Sequence, residues 1–578
     1  MIDDFLMELN PKQREICLNE KNYLIVACPG SGKTRTITYR LAYMAEKYRE
    51  SEKWNIAITY TNRAADEIEN RLLDMSVRSE NVWTGTIHQF CMTFIIRPYA
   101  MYSERLKTGY TIIDEYTVDA YGREIAKALG IECEHFENPL QKPGVRAIYE
   151  KRLIERKEID FEQILSVSEQ LLKGKKFIAK NVSQIIRSIH VDEFQDTHEV
   201  QYQILSSLLK ENKNINIIFV GDINQAIYGN LGGIAKSKEE LESLLQVEIT
   251  EEKLSGCYRS TQRIIDYYTN FEIFNTGIYC CSEKLKDIKG TISYDMAIKK
   301  SQLIENICEI IKSEIGRGIP EEEICIIAPQ WTFLFQLSEK LKVELPNNHF
   351  DAPDISPFKY DPLNPFYLMA KLIYTTPGYS SHIRKKIARE VLIIMRNEFE
   401  VVMNDDIEEQ DLLFIINGYH YKSTEEGVDY YESCVRYVLK EIGINIEIEN
   451  NLKDTLEIFL RKTKERIKKY KIENTNDGIK GYFYGRKGIV LSTIHGVKGE
   501  EYNTVIAFAL LNGYLPHWDY IYKKSGIRDV ETKKLLYVLC SRARENLYLF
   551  SETGRVTNSG NQYIATDELK NISYKYDV

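Results

Sequence analysis

Residues Tyr23-Leu24-Ile25-Val26-Ala27-Cys28-Pro29-Gly30-Ser31-Gly32-Lys33-Thr34 decide the reading of this chain. The apolar run is a buried strand, and the Gly-rich turn after it opens a helix that continues through Ile37 and Leu41. Backbone N–H groups in such a turn point at phosphate oxygens, helped by the positive end of the helix. Gly30, Ser31 and Gly32 then cradle the phosphates, Lys33 reaches the β- and γ-phosphates, and the Thr34 hydroxyl holds Mg²⁺. Ala27 stands where the general GxxxxGKT pattern has its first glycine. ATP and Mg²⁺ are the cofactors this stretch predicts.

A second strand supplies the acids. Ser188-Ile189-His190-Val191 ends in Asp192-Glu193, followed by Phe194-Gln195-Asp196-Thr197. At a strand tip, Asp192 can hold the metal through water while Glu193 orients and deprotonates an attacking water. A third apolar run, 215–220, ends in Gly221-Asp222-Ile223-Asn224-Gln225, which sets Gln225 as a γ-phosphate sensor. Hydrolysis in such a lobe also needs positive charge at the transition state, and an arginine supplied across a cleft provides it. Arg259 and Arg542 are the candidates. Each lies beside core segments of a second α/β lobe, whose buried strands are expected at 324–328, 488–492, 504–508 and 547–550.

Further segments, in order, resemble the UvrD/PcrA/Rep family of superfamily 1 helicases. Leu9-Asn10-Pro11-Lys12-Gln13-Arg14 resembles its adenine-reading motif, Thr59-Tyr60-Thr61-Asn62-Arg63-Ala64-Ala65 its motif Ia, and Gly85-Thr86-Ile87-His88-Gln89-Phe90 its motif Ib. Cys257-Tyr258-Arg259-Ser260-Thr261 is similar to motif IV. Leu491-Ser492-Thr493-Ile494-His495-Gly496-Val497-Lys498-Gly499-Glu500-Glu501-Tyr502 is similar to motif V, and Lys534–Arg544 to motif VI. The resemblance implies that Gln13 hydrogen-bonds adenine, that Tyr258 stacks on it, and that Arg35 and Glu501 complete the nucleotide set. It places Tyr60, Thr86, His88, Tyr228, Thr493 and His495 on a nucleic-acid track, where an aromatic ring can stack a base of any identity. One departure stands out: after Gln225 and Tyr228, Asn230 and Leu231 replace an aromatic and an arginine, which should loosen the grip on the strand.

The implied fold class is α/β, with two RecA-like parallel-sheet P-loop NTPase lobes, each carrying a mainly helical insertion. The expected domains are 1–89 with 188–264, the helical insertion 90–187, 265–345 with 486–578, and a reduced second insertion 346–485. In that insertion Leu452, Leu456, Phe459, Leu460 and Ile467 form an amphipathic helix. The basic run 462–471 is either a solvated face or a contact to duplex phosphate. The implied activity is ATP-driven movement on single-stranded DNA and its junctions with duplex, 3′-to-5′, in DNA repair or in anti-phage defence of the Gabija type. RNA as the track stays open. The alternatives are a DNA-end-sensing ATPase that regulates a partner nuclease without robust unwinding, and an interaction subunit.

Composition sets the bounds. The 578 residues hold several domains, with 43% apolar and 28% charged residues, ordinary for a globular protein. The net charge of −9 requires any nucleic-acid contact to be a local groove rather than a basic surface. Eleven cysteines without a CxxC pair argue against a disulfide framework or zinc ribbon. Without a signal sequence or a long apolar run, a cytoplasmic protein with no membrane association is expected.

Overall fold

Parallel strands buried on both faces need helical crossovers, and this chain repeats that unit around two sheets. The computed structural model describes residues 6–75, 77, 80–133, 137–228, 232–352, 356–359, 361–375, 381–399, 401–404, 407–419, 426–483, 488–517, 525–557 and 559–577. The chain divides into two compact units. The first, Met1–Phe90, Leu172–Ala352 and Arg486–Val578, holds both large sheets.

Its first sheet is built from β1 (Tyr23–Ala27), β2 (Trp54–Thr59), β3 (Val82–Thr86), β4 (Ile186–Asp192), β5 (Asn216–Gly221) and β6 (Thr250–Leu254). They lie in the order β3-β2-β4-β5-β1-β6, all parallel. Asp192 is in register with Val220, and Val220 with Ile25. Because the strands are parallel, the turns after β1, β4 and β5 leave the sheet at one edge. That edge gathers the phosphate loop, the acids and Gln225.

The second sheet comprises β7 (Thr291–Asp295), β8 (Ile324–Ala328), β9 (Phe350–Asp351), β10 (Ile489–Thr493), β11 (Tyr502–Ala507) and β12 (Ala543–Phe550). Its order is β7-β12-β11-β8-β10-β9, again parallel throughout. Central β8 is buried at every residue, as its unbroken apolar run requires. The α/β class with two parallel-sheet lobes is therefore what the chain adopts.

Two stretches pack away from the segments with which the motif boundaries group them, while the breaks at Phe90 and Arg486 lie within a residue of the expected ones. The helix Lys176–Gln184 buries Ile178, Ala179 and Val182 and packs beside β4 and the helix Glu199–Glu211, so 172–187 joins the first unit. Residues from Gly256 onward leave the first sheet well before 264. Ile264, Ile265, Tyr267 and Tyr268 share a core with Ile292, Val505 and Leu547 of the second sheet. Apolar pattern reports burial, not which sheet does the burying.

The second unit, Cys91–Leu171 with Pro353–Gly485, joins both insertions and is mainly helical, apart from a short ladder pairing Thr111–Ile112 with Glu158–Ile159. Helices Pro365–Ile373, Ser381–Asn397, Glu409–Gly418, Gly427–Glu441 and Asn450–Tyr470 enclose Phe366, Val391, Leu412, Tyr431 and Leu456. The expected stripe holds, with Leu452, Leu456, Phe459 and Leu460 buried and Ile467 packed at the margin. Within the basic run, Lys462 pairs with Asp114 at 2.7 Å, and Lys464 lies near Asp429 and Glu432. Among the described residues, no helix is long and apolar enough to cross a membrane, and no three His, Cys, Asp or Glu residues are grouped to hold a metal ion.

Arg97 of the first insertion donates to Glu390 and Glu398 of the second, both at 2.8 Å. Burial pushes the Glu398 carboxyl up to about 7 even with that guanidinium beside it. Removing the arginine strands a buried acid. Arg97→Ala is expected to destabilise this unit by roughly 3–5 kcal/mol, read as a lower urea midpoint, with Glu398→Gln in the same background recovering part of the loss.

Candidate nucleotide and nucleic-acid site

The phosphate loop turns on two glycines in the left-handed region, Gly30 at φ 69° and Gly32 at φ 81°. At Gly30 a side chain is excluded twice over, because a Cβ there would lie 2.4 Å from the Arg259 Cβ. Gly32 caps the helix Lys33–Lys47 without any side-chain cap, so its first N–H groups stay available to an anion. Tyr258 N–H donates to the Gly30 carbonyl at 2.8 Å, tying the segment that carries Arg259 to the loop.

Lys33 lies 3.8 Å from Glu193, with both side chains largely buried. Glu193 sits at φ 51°, unusual for a residue with a side chain and a mark of a constrained strand tip. Asp192 and Glu193 are buried neighbours and cannot both ionise freely. Burial and the adjacent Glu193 raise Asp192. For Glu193, burial is outweighed by Lys33, Lys498 and a hydrogen bond from Gln195, and its carboxyl is held low. A hydroxyl from Thr34 and a carboxylate from Asp192 are oxygen donors of the kind Mg²⁺ takes alongside phosphates and water, and a dication there would relieve the raised Asp192.

Segments packed on the second sheet supply two further cations. Arg542, 1% exposed, donates to Gln225 Oε1 at 2.9 Å and to the Val538 and Glu500 carbonyls at 2.9 and 3.1 Å. Burial first, then the neighbouring Arg259, pulls its guanidinium down to about 9. Gln225 in turn donates to Asp222 at 2.7 Å. Arg259 donates to Glu501 at 2.7 Å and to the Ser541 carbonyl at 3.2 Å. Lys33, Asp192, Glu193, Gln225, Arg259 and Arg542 thus converge on one region of the first unit.

Three expected nucleotide contacts are engaged elsewhere. Gln13 donates to the Ser31 carbonyl at 3.0 Å, Arg35 pairs with Glu8 at 2.8 Å, and Glu501 holds Arg259. Tyr258 is exposed, its hydroxyl accepting from Asn10 at 3.0 Å.

On the adjoining rim, Thr59 and Thr86 are register partners at the ends of β2 and β3. The next residue, Tyr60, stacks on Tyr228 with ring centroids 4.8 Å apart, and Tyr228 lies 5.8 Å from the His495 ring. Thr86 bonds Gln89, and Thr493 Oγ1 accepts from the Gly496 N–H. Burial and His198 push His88 down to about 4, so it is neutral near pH 7. Asn230 and Leu231 lie outside the described residues.

The residue that sequence reasoning passed over is Lys498. Its ammonium pairs with Asp196, donates to the Gln225 carbonyl at 2.8 Å, and lies over the rings of Tyr228 (4.9 Å) and Tyr60 (5.9 Å). One buried cation from the second lobe therefore touches the acidic strand tip, the Gln225 turn and the aromatic rim. Its place in the Gly-Val-Lys-Gly stretch was visible, but its partner some 300 residues away was not.

Two family models match the chain. "UvrD/REP helicase N-terminal domain" covers residues 9–142 and 142–243, and "UvrD-like helicase C-terminal domain" covers residues 383–553. The ATP-dependent DNA helicase PcrA of Staphylococcus aureus is 23% identical over 644 aligned positions, spanning 95% of this chain and 84% of the relative. PcrA of Staphylococcus epidermidis is 23% identical over 639 positions, with the same shares covered. Together the two family models match more than half of the sequence: the chain belongs to the UvrD-like helicase family.

Proposed function

We propose that this protein is an ATP-driven DNA helicase that moves 3′-to-5′ on single-stranded DNA, in DNA repair or anti-phage defence. The observation that carries the reading is the hydrogen bond from Arg542 to Gln225 beside Lys33, Asp192 and Glu193. Phosphoryl transfer needs little from a protein beyond positioning and charge. Here an amine and helix N–H groups face two guanidinium groups from the opposite lobe.

In this reading Lys33 turns from Glu193 to the β- and γ-phosphates, and Glu193, still facing Lys498 and the Gln195 amide, orients and deprotonates the attacking water. Thr34 and Asp192 hold Mg²⁺, which when bound neutralises phosphate charge. Gln225 senses the γ-phosphate, while Arg259 and Arg542 stabilise charge on the departing phosphoryl group. Gln13 and Tyr258 take the base, with Arg35 and Glu501 alongside. Domains 1–89 with 188–264 and 265–345 with 486–578 serve as motor lobes, and 90–187 and 346–485 as insertions, read with the shifted junctions described above.

Movement requires that DNA and ATP sense each other. Lys498 offers a direct route, since a base entering between Tyr60 and Tyr228 must displace the rings on which its ammonium rests. That ammonium also holds Asp196 beside Glu193. Thr86, His88, Thr493 and His495 line the same rim for phosphates.

A second reading, a DNA-end-sensing ATPase that regulates a partner nuclease, draws on Asn230 and Leu231, which remove a stacking platform and a cation. Unwinding of 3′- and 5′-tailed duplexes separates the two. Unwinding of 3′-tailed duplex alone fits the motor, and DNA-stimulated ATPase without unwinding fits the sensor.

Lys33→Ala is expected to lower ATP hydrolysis at least about a hundredfold, measured by phosphate release; full turnover would remove the site assignment. Tyr60→Ala should spare basal ATPase and reduce stimulation by single-stranded DNA. Lys498→Ala should cut that stimulation about tenfold or more, roughly 1.4 kcal/mol of lost coupling. Undiminished stimulation in the lysine variant would show that the acids and the rim communicate by another route.

A further inference from the structure

Arg259 has its root at the phosphate loop and its tip turned away from it. Its Cβ would collide with a side chain at Gly30, yet its guanidinium is held by Glu501 at 2.7 Å. Only the outer part of the side chain must swing for Arg259 to reach a phosphate, and the cost of that swing is the ion pair it leaves.

Glu501 has a second arginine at hand. Arg544 Nη1 lies 3.8 Å from Glu501 Oε1, while Arg259 occupies Oε2, so the two guanidinium groups address different oxygens of one carboxylate. Arg544 is anchored through Nη2 to Glu323, which also accepts the Asn503 N–H at 3.2 Å. Its Nε is buried without a hydrogen-bond partner, an unspent donor on the same planar group. The Arg544 carbonyl accepts from Thr261 N–H, and Ser260 Oγ donates to the Ala543 carbonyl at 2.6 Å. The start of β12 is therefore fixed to the segment bearing Arg259.

We propose that Arg544 is a positioning residue for hydrolysis: it takes over Glu501 when Arg259 moves to the phosphates, lowering the cost of releasing the catalytic arginine. The inference rests on the ATPase reading above. Without Arg544, Glu501 keeps its direct ion pair with Arg259, since the third guanidinium near it, Arg542, is spent on Gln225 and on backbone carbonyls. With Arg544, closing the charge pair toward 3 Å compensates for the departure, because a carboxylate gains most from a short, charge-assisted contact.

The test is steady-state ATPase with single-stranded DNA on the full-length chain, with melting curves for each variant. Arg544→Gln is expected to lower kcat about tenfold with KM changed less than about threefold. In the double variant Arg544→Gln/Glu501→Gln, kcat should return to within about threefold of Glu501→Gln alone, because no acid remains to trap Arg259. Glu323→Gln, which cuts the anchor but leaves Arg544 free to meet Glu501, should keep kcat near wild type. A structural role for the Arg544–Glu323 tie predicts the opposite pattern, with Glu323→Gln as impaired as Arg544→Gln and no recovery in the double variant. Either that pattern or an unchanged kcat in Arg544→Gln overturns the proposal. Wild-type protein that fails to hydrolyse ATP overturns it together with the reading it rests on.

Discussion

The first unit is governed by a charge imbalance at the edge of its first sheet. Asp192, Glu193, Asp196 and Asp222 sit together where parallel strands end, and all are buried or nearly so. Buried carboxylates are tolerated only when paired. Lys33 is the cation their own lobe aims at them; the others, Lys498 and Arg542, come from the second lobe. The lobes are therefore joined by charge neutralisation as well as by apolar contact. A polyanion entering this cleft competes for the same cations. Whatever binds there must redistribute the pairs, and in doing so it changes what holds the lobes together.

Several groups that the proposed reading assigns to a nucleotide are held by protein partners. Arg259 rests on Glu501, Gln13 on the Ser31 carbonyl and Arg35 on Glu8. None is left buried and unsatisfied. Releasing any of them gives up contacts already made, two of them for Arg259, so nucleotide binding would exchange contacts rather than create them from solvated groups. The net gain from any single contact is then small, and selectivity arises from requiring many exchanges at once.

Much of this was legible in the sequence because the relevant signals are local. The strand before Gly30, the acids after His190 and the run before Gly221 each announce a parallel strand with chemistry at its tip. Parallel topology then forces those tips to one edge. Other features were hidden for a physical reason. Apolar periodicity records that Ile264 and Tyr268 are buried, but not that the second sheet buries them. The grouping of the two insertions depends on pairs such as Arg97 with Glu398 and Lys462 with Asp114, which look in sequence like any other charged face. Lys498 was plain as a residue and silent as a partner, since one lysine among many acquires meaning only from the acid it meets.

The aromatic rim carries a last consequence of the same logic. Tyr60 and Tyr228 already stack on one another, and such a pair is worth roughly 0.5–1.5 kcal/mol beyond the area it buries. A base that intercalates forfeits this contact and gains about 1–3 kcal/mol of its own stacking. The surplus per base is modest. On the proposed reading, binding energy would then come largely from phosphates, whose contacts weaken as salt rises, with the rings serving as a gate on the ammonium of Lys498. A rim built this way would, on the same reading, report the arrival and departure of each base to the acids behind it, and hold none of them firmly.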